Sequence, residues 1–430
     1  MIDVLRNSWA LLLGVLLLLA GNGIQGTLLG IRGGIEGYGA GTMSLVMSAY
    51  FLGFLAGSTY APGMIQRVGH VRVFAALGSL ISAAFIIYAA APAPWVWVVM
   101  RLIVGFCFSG VYVVAESWLN DASSNENRGK SLSLYMIVQM LGIISGQLTL
   151  NFADPAGYTL FVIMSVLVSL SFMPILLSAA VTPEFHRTQK MTLARLFETS
   201  PLGCVGTFLL GGVFAGIFGM SAVYGTEKGL SVGQISVFVA TIYAGGLFLQ
   251  YPIGLASDRV DRRKLILGVA AVGAVVTLAG AAFADSFLIL LTLGFVIGAV
   301  ANPLYSLLIA YTNDYLEQSD MAAASGGLMF INGLGAVSGP VAIGWMMTEL
   351  GPDAFFVFLG LLFTVMAAYA LYRMSRRPVH EVVDPTPYVP VMMSASVTGM
   401  EAAQEAAIDA AAQDDADPGE PVREHDETTT

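Results

Sequence analysis

Runs of about 20 apolar residues, long enough to cross a bilayer as helices, recur along this chain of 430 residues. Twelve such runs can be placed, the first at about 8–30 and the last at about 353–374. Only 11% of the residues are charged and 56% are hydrophobic, against roughly 25% charge in a soluble protein. The chain lacks the polar surface needed to dissolve and belongs in lipid. Strands of about ten residues with alternating polarity, the mark of a membrane barrel, are absent. The expected fold class is an all-α polytopic membrane protein.

The apolar part is also written twice. Met136–Gln147 reads MIVQMLGIISGQ and Met329–Pro340 reads MFINGLGAVSGP, sharing M-x-x-[QN]-x-L-G-x-x-S-G at an offset of 193 residues (329 minus 136). Tyr50 and Tyr243, Gly53 and Gly246, Gly105 and Gly298, Asn120 and Asn313, and Asp121 and Asp314 keep the same offset. Matches in one frame imply a duplication and two related halves, 1–180 and 201–377. A polar linker, 181–200, joins them, with Pro183, His186, Arg187, Lys190 and Arg195.

Charge sets the orientation. With the N-terminus inside, the inner segments receive fifteen Lys and Arg residues, and the outer loops only Arg32 and Lys228, as the positive-inside rule requires. Both termini are then cytoplasmic. The net charge of −10 resides in the tail, 378–430, where twelve acidic residues face Arg423 alone. That tail is too polar to bury a core and is expected to be mostly disordered, with Glu401–Ala412 able to form a short helix. Cys107 and Cys204 fall inside spans and read as packing residues. The four histidines lie in loops or tail with no metal-ligand spacing, so no cofactor or metal is expected. The first apolar run is too long for a signal-peptide core and reads as an uncleaved helix.

Two basic loops carry a family resemblance. After the eighth run the chain reads Gly254-Leu-Ala-Ser-Asp258-Arg259-Val-Asp261-Arg262-Arg263-Lys264, and the matching first-half loop is Gln66-Arg67-Val-Gly69-His70-Val-Arg72. The first resembles the G-x-x-x-D-R-x-G-R-R loop of the major facilitator superfamily, with Asp261 where the family has Gly. Arg101-Leu-Ile-Val-Gly105 resembles the superfamily's R-x-x-x-G element. Val113 to Leu119, Asn127 to Lys130, Tyr135-Met136 and Gly146-Gln147 resemble its YcaD-type branch. The resemblance implies two pseudo-symmetric six-helix bundles that expose a central site alternately to each side. It also implies that spans two, five, eight and eleven slide while three, six, nine and twelve face lipid. The drug-antiporter signature expects Gly-Pro in the fifth span, and Gly146-Gln147 stands there instead.

Candidate site residues follow from depth and polarity. Arg101 lies six residues inside its helix, roughly 9 Å along the axis. A guanidinium there needs a partner or a cavity, unless it snorkels to the interface. Asn22, Gln25, Tyr50, Gln139, Tyr243, Asn302 and Asn332 are the other expected cavity residues, set against third, sixth, ninth and twelfth spans nearly free of amides. Glu116, fifteen residues from Arg101 and about 22 Å away along one helix, is expected at the inner gate, meeting Arg67, Arg72 or Arg128. Proton carriage is its other reading. Asp258, Arg259 and Arg262 complete that gate.

The expected function is secondary transport of a small solute by alternating access, with protons as an open coupling partner. The lipid bilayer is the surrounding partner, no nucleic acid is involved, and a monomer is expected. No His, Ser or metal-ligand cluster lies at a depth suited to catalysis, so no enzyme is expected. The alternative is a non-transporting sensor or scaffold on a transporter fold, with the acidic tail as output. The tail itself reads as a solvated spacer or as a regulatory element.

Overall fold

The computed structural model describes residues 2–121, 123, 125–177, 191–284, 286–376, 386–392 and 394–416. Twelve helices among them are long and apolar enough to span a membrane, and no strand occurs among the described residues. In chain order they are α1 (Ile2–Ile35), α2 (Ala40–Val68), α3 (His70–Ala90), α4 (Pro94–Asp121) and α5 (Asn125–Thr149). The sixth and seventh are α6 (Thr159–Leu177) and α7 (Pro201–Glu227). Then follow α8 (Val232–Ser257), α9 (Arg262–Phe283), α10 (Phe287–Asn313), α11 (Gln318–Leu350) and α12 (Ala354–Arg376). A further helix, α13 (Val397–Ala416), lies in the tail. The start of α1 and the end of α12 share one face of the molecule, here the terminal face.

Local chemistry sets the helix ends. Ser231 caps α8 in a reciprocal box: its hydroxyl accepts from Gln234 N at 3.3 Å, and the Gln234 side chain accepts from Ser231 N at 2.9 Å. Ser200 caps α7 with Pro201 next to it, where its fixed φ suits a first turn. Asp261, where the superfamily loop has Gly, caps α9 by accepting from Arg263 N at 2.9 Å. Gly37 after α1 and Gly229 after α7 hold φ of 77° and 73°, a left-handed region that glycine enters freely. Turns of the same kind therefore close the first helix of each half.

The duplication is visible in the packing. A Cβ on Gly105 of α4 would stand 2.0 Å from Tyr50 O of α2, and one on Gly298 of α10 would stand 1.9 Å from Ile242 O of α8. These repeat mates let backbones touch where any side chain would collide. The repeated eleven-residue motif behaves alike: Gly146 of α5 lies against Ala20 and Gly23 of α1, while Gly335 and Gly339 of α11 lie against Phe208 and Gly212 of α7. On α3, α6, α9 and α12, Leu80, Val166, Val275 and Leu361 are exposed, the apolar surface that lipid would cover. Cys107 and Cys204 are buried and free.

The halves meet mainly at the end away from the terminal face. There α1 packs on α7, α2 on α11 and α5 on α8. Gly30 abuts Ala222, and Gly344 abuts Ser44. Ala40 N donates to Glu227 Oε1 at 2.9 Å, and Ser48 Oγ to Val337 O at 2.5 Å. At the terminal face, α13 packs against α4 and α5 of the first half and α11 of the second. The tail was expected to be mostly disordered, a solvated spacer or a regulatory element, with a short helix at Glu401–Ala412; α13 contains that helix, but the segment is packed on the bundle. The physical reason for the difference lies in its first part, where Val391, Ser396, Met400 and Ala402 are buried, an apolar stretch masked in the composition by the acidic residues after it.

Candidate functional site

A cavity of about 200 Å³ lies between the halves. Asn22, Tyr50, Arg101, Tyr243, Asn302 and Asn332 line it, all six expected from the sequence. Its aromatic wall, Phe51, Phe54, Tyr112 and Phe218, escaped the sequence reading, because an apolar aromatic in an apolar helix carries no mark of its own. Inside α7 the residues Gly216–Met220 form a π-helical turn, a feature common at functional sites. The Phe218 ring lies stacked on Tyr243, centroids 4.8 Å apart.

Arg101 is the electrostatic centre. It is 3% exposed, and its guanidinium lies over the Tyr50 ring, 4.7 Å from the centroid. One nitrogen donates to Met47 Sδ at 3.2 Å, and Nε has no partner among the described residues. No carboxylate pairs with it among them either. A cation–π contact supplies about 0.5–2 kcal/mol, whereas a charge at this depth costs at least about 2.5–3.5 kcal/mol. The protein compensates the charge only in part, on a wall that faces the cavity.

Two amides expected in the cavity lie elsewhere. Gln25 is fully buried behind it, donating to Tyr88 Oη at 3.2 Å. Gln139 lies below it, accepting from Ser394 of the tail at 3.4 Å. Depth and polarity marked both as groups that must face something, and a neighbouring helix or the tail meets that need as well as the cavity does. Two of the lining amides are partly committed to the fold: Asn332 donates to Thr207 O at 2.9 Å, joining α11 to α7, and Asn302 donates to Gly298 O of its own helix at 3.2 Å.

At the terminal face the second-half loop forms a cluster. Arg262 is buried; it binds Asp314 in an ion pair, donates to Ser257 Oγ at 3.1 Å, and lies 3.6 Å from Asp258. Asp314, absent from the expected gate, was legible as the repeat mate of Asp121. Asp261 pairs with Arg263 at 3.1 Å. Partial burial works to raise the Asp261 carboxyl, and the hydrogen bonds and charge of Arg263 outweigh it, leaving it below its ordinary value. Arg67, Arg72 and Arg259 are exposed and make no ion pair among the described residues. The Arg128 side chain lies outside them.

Of the partners expected for Glu116, Arg67 and Arg72 do not reach it, and the Arg128 side chain lies outside the described residues. The Glu116 carboxylate is buried and meets no arginine among the described residues. Oε1 accepts from Tyr135 Oη at 3.3 Å, and Oε2 accepts from Ser396 N of the tail at 2.7 Å. The physical reason is reach: Arg67 and Arg72 point into solvent, while the tail brings a backbone N–H directly to the carboxylate. His70, expected in a loop, is buried at the start of α3 with Nε2 2.8 Å from Ser117 Oγ.

The family model described as Major Facilitator Superfamily matches residues 11–231 and 203–395. An uncharacterized MFS-type transporter of Enterobacter sp. (strain 638) is 26% identical over 379 residues, 87% of this chain and 97% of that protein. The uncharacterized MFS-type transporter YcaD of Escherichia coli O139:H28 (strain E24377A / ETEC) is 24% identical over 359 residues, 82% and 92% of the two chains. Among solved structures, the nucleoside transporter NupG shares the fold with a TM-score of 0.73 at 14% identity, over 85% of this chain and 98% of its own. A bacterial homolog of the human lysosomal transporter Spinster, in an inward-facing and unoccupied conformation, gives 0.67 at 14% identity, over 93% and 97%. These relatives are transporters, not enzymes. The chain belongs to the Major Facilitator Superfamily, in its YcaD-type branch, and is a secondary transporter.

Proposed function

We propose that the protein carries a small organic anion through the cavity between its halves by alternating access. The observation that carries this reading is Arg101, a buried cation on the cavity wall with no countercharge among the described residues. An anionic group bound there would complete the compensation that Tyr50 supplies in part. The aromatic wall gives the rest of the solute an apolar surface to rest on. Residues 1–180 and 201–377 move as two bodies joined by 181–200, and the terminal face is cytoplasmic, as the basic loops indicate. The contacts away from that face supply the closed gate of the present state. Arg262, Asp258 and Asp314 brace the inner ends of α8, α9 and α10. Glu116 acts as an inner-gate residue: its carboxylate ties Tyr135 of α5 and Ser396 of the tail to α4 in the present state.

Uptake into proteoliposomes of a panel of small anions, neutral solutes and cations, with and without an imposed pH gradient, tests the reading. Saturable uptake of one or more anions, lost in Arg101→Ala, is expected. Uptake confined to neutral solutes or cations, and equal in Arg101→Ala, overturns it. A rate that follows the pH gradient only while Glu116 is intact restores proton carriage to that residue.

A further inference from the structure

We propose that the C-terminal segment is an autoinhibitory plug that seals the transport cavity at the terminal face and straps the two halves together. The inference rests on the transport reading above for its consequence, though not for its geometry.

The segment runs across the mouth from the second half to the first. Thr386 N donates to Asp314 Oδ1 at 3.1 Å, and Thr386 O accepts from Arg262. Tyr388 N donates to Asp258 Oδ1 at 3.2 Å. Val391 N donates to Ser306 Oγ of α10 at 2.9 Å. The chain then crosses over. Ser394 Oγ donates to Gln139 Oε1 of α5, and Ser396 N to Glu116 Oε2 of α4. Two of its side chains, Met392 and Ser394, form part of the wall of the central cavity. Helix α13 follows, with Gln404 Nε2 donating to Met321 Sδ of α11 at 3.0 Å.

Three features separate this from a tail resting on a surface. Most of the bonds are made by main-chain groups, so the segment binds as a peptide in a groove, and the groove's acceptors are side chains on both halves. The contact is close. A Cβ on Gly399 would stand 2.2 Å from Glu116 Oε2, and one on Gly254 would stand 2.6 Å from the Tyr388 ring. Finally, the helices of the two halves meet away from the terminal face, whereas at that face α13 bridges them. Solute leaving the cavity toward the terminal face must displace Met392 and Ser394. Closure of that face needs the space the segment occupies. The tail therefore has to withdraw in every cycle, and while it is seated the transporter is held in one state.

A plug seated nine-tenths of the time leaves about one-tenth of the molecules competent, so its removal raises the rate about tenfold. The full-length protein, a chain ending at Arg377, and the full-length point variants Gly399→Val and Ser396→Pro are reconstituted and assayed for uptake. Each also carries Leu132→Cys, at a buried apolar position of α5 beside the segment, read by a membrane-impermeant maleimide applied at the terminal face; the native Cys107 and Cys204 are buried. The expected result is several-fold faster uptake and faster labelling in the truncated and point variants. A synthetic peptide of residues 386–416 should reverse both in the truncated chain. A tethered segment acts at an effective concentration on the order of millimolar, so the peptide is supplied at about that level. Equal labelling in full-length and truncated chains, or slower uptake after truncation with normal folding of the point variants, overturns the plug. Labelling needs no substrate. A protein that shows the labelling difference but no anion uptake keeps the plug and rejects the anion reading.

Discussion

Arg101→Met separates a residue kept for the fold from one kept for the cargo. The substitution keeps length and apolar stem and removes the charge. On the stability side it forfeits the cation–π contact with Tyr50, about 0.5–2 kcal/mol. It also removes a charge buried at 3% exposure, whose cost at depth is at least about 2.5–3.5 kcal/mol. The second term is the larger, so the variant should be as stable as the wild type or more so. On the binding side it removes a charge-assisted hydrogen bond to an anion, about 1.5–3 kcal/mol, which is roughly 10–150-fold in apparent affinity. Thermal unfolding in detergent, followed by intrinsic fluorescence, gives the first quantity, and the concentration dependence of uptake gives the second. A stable variant with weakened uptake is expected. A melting temperature several degrees lower, together with unchanged half-saturation, would refute the reasoning and make Arg101 a strut between α2 and α4.

Gly105→Ala and its repeat mate Gly298→Ala should both lower the yield of monodisperse protein in size-exclusion chromatography. Each Cβ would stand 2.0 Å or less from a carbonyl oxygen, and overpacking of this kind costs about 1–3 kcal/mol. A tolerated change in one half but not the other would argue against equivalent packing. Asp261→Ala should lose about 1 kcal/mol of helix capping, seen as a lower melting temperature at neutral pH. Because Arg263 holds the Asp261 carboxyl below its ordinary 3.8, its contribution is present above that pH and fades as pH falls through the lowered value. The gap between wild type and variant should close on acidification; a gap independent of pH would exclude the ionic part. Arg262→Met leaves Asp314 without its ion-pair partner and should destabilise by about 3–5 kcal/mol, whereas the double change with Asp314→Leu should recover most of the loss. Additive effects in that cycle would mean the pair does not act as a unit.

Much of the architecture was legible because lipid leaves a chain few choices. Backbone groups in a bilayer must be satisfied within each segment, so length and apolarity alone placed twelve helices. The offset of 193 residues foretold which glycines would sit at matched crossings, Gly105 with Gly298 and Gly146 with Gly339. Site residues were legible to the extent that a polar group at depth must face something. Arg101, Asn22 and Asn332 do face the cavity, while Gln25 and Gln139 bond to Tyr88 and Ser394 instead of lining it. The aromatic wall could not be read, since Phe218 differs from a core phenylalanine only in what lies opposite. The tail misled because its composition was averaged. The acidic residues that dominate it begin at Glu401, and the fifteen residues before that hold the groups that reach Ser306, Gln139 and Glu116. The partner of Glu116 was hidden for the same reason: a backbone N–H 280 residues away in sequence leaves no mark in the side-chain code.

The central claim is that the middle of this molecule opens to each side in turn. Spin labels at Tyr158 and Leu288, both exposed and on opposite halves at the face away from the termini, report that opening by pulsed electron–electron distance measurement in nanodiscs. The account predicts a shorter distance matching the present closed arrangement and a longer one whose population changes when a transported anion is added. A single distance, unmoved by any solute that the protein carries, would contradict it.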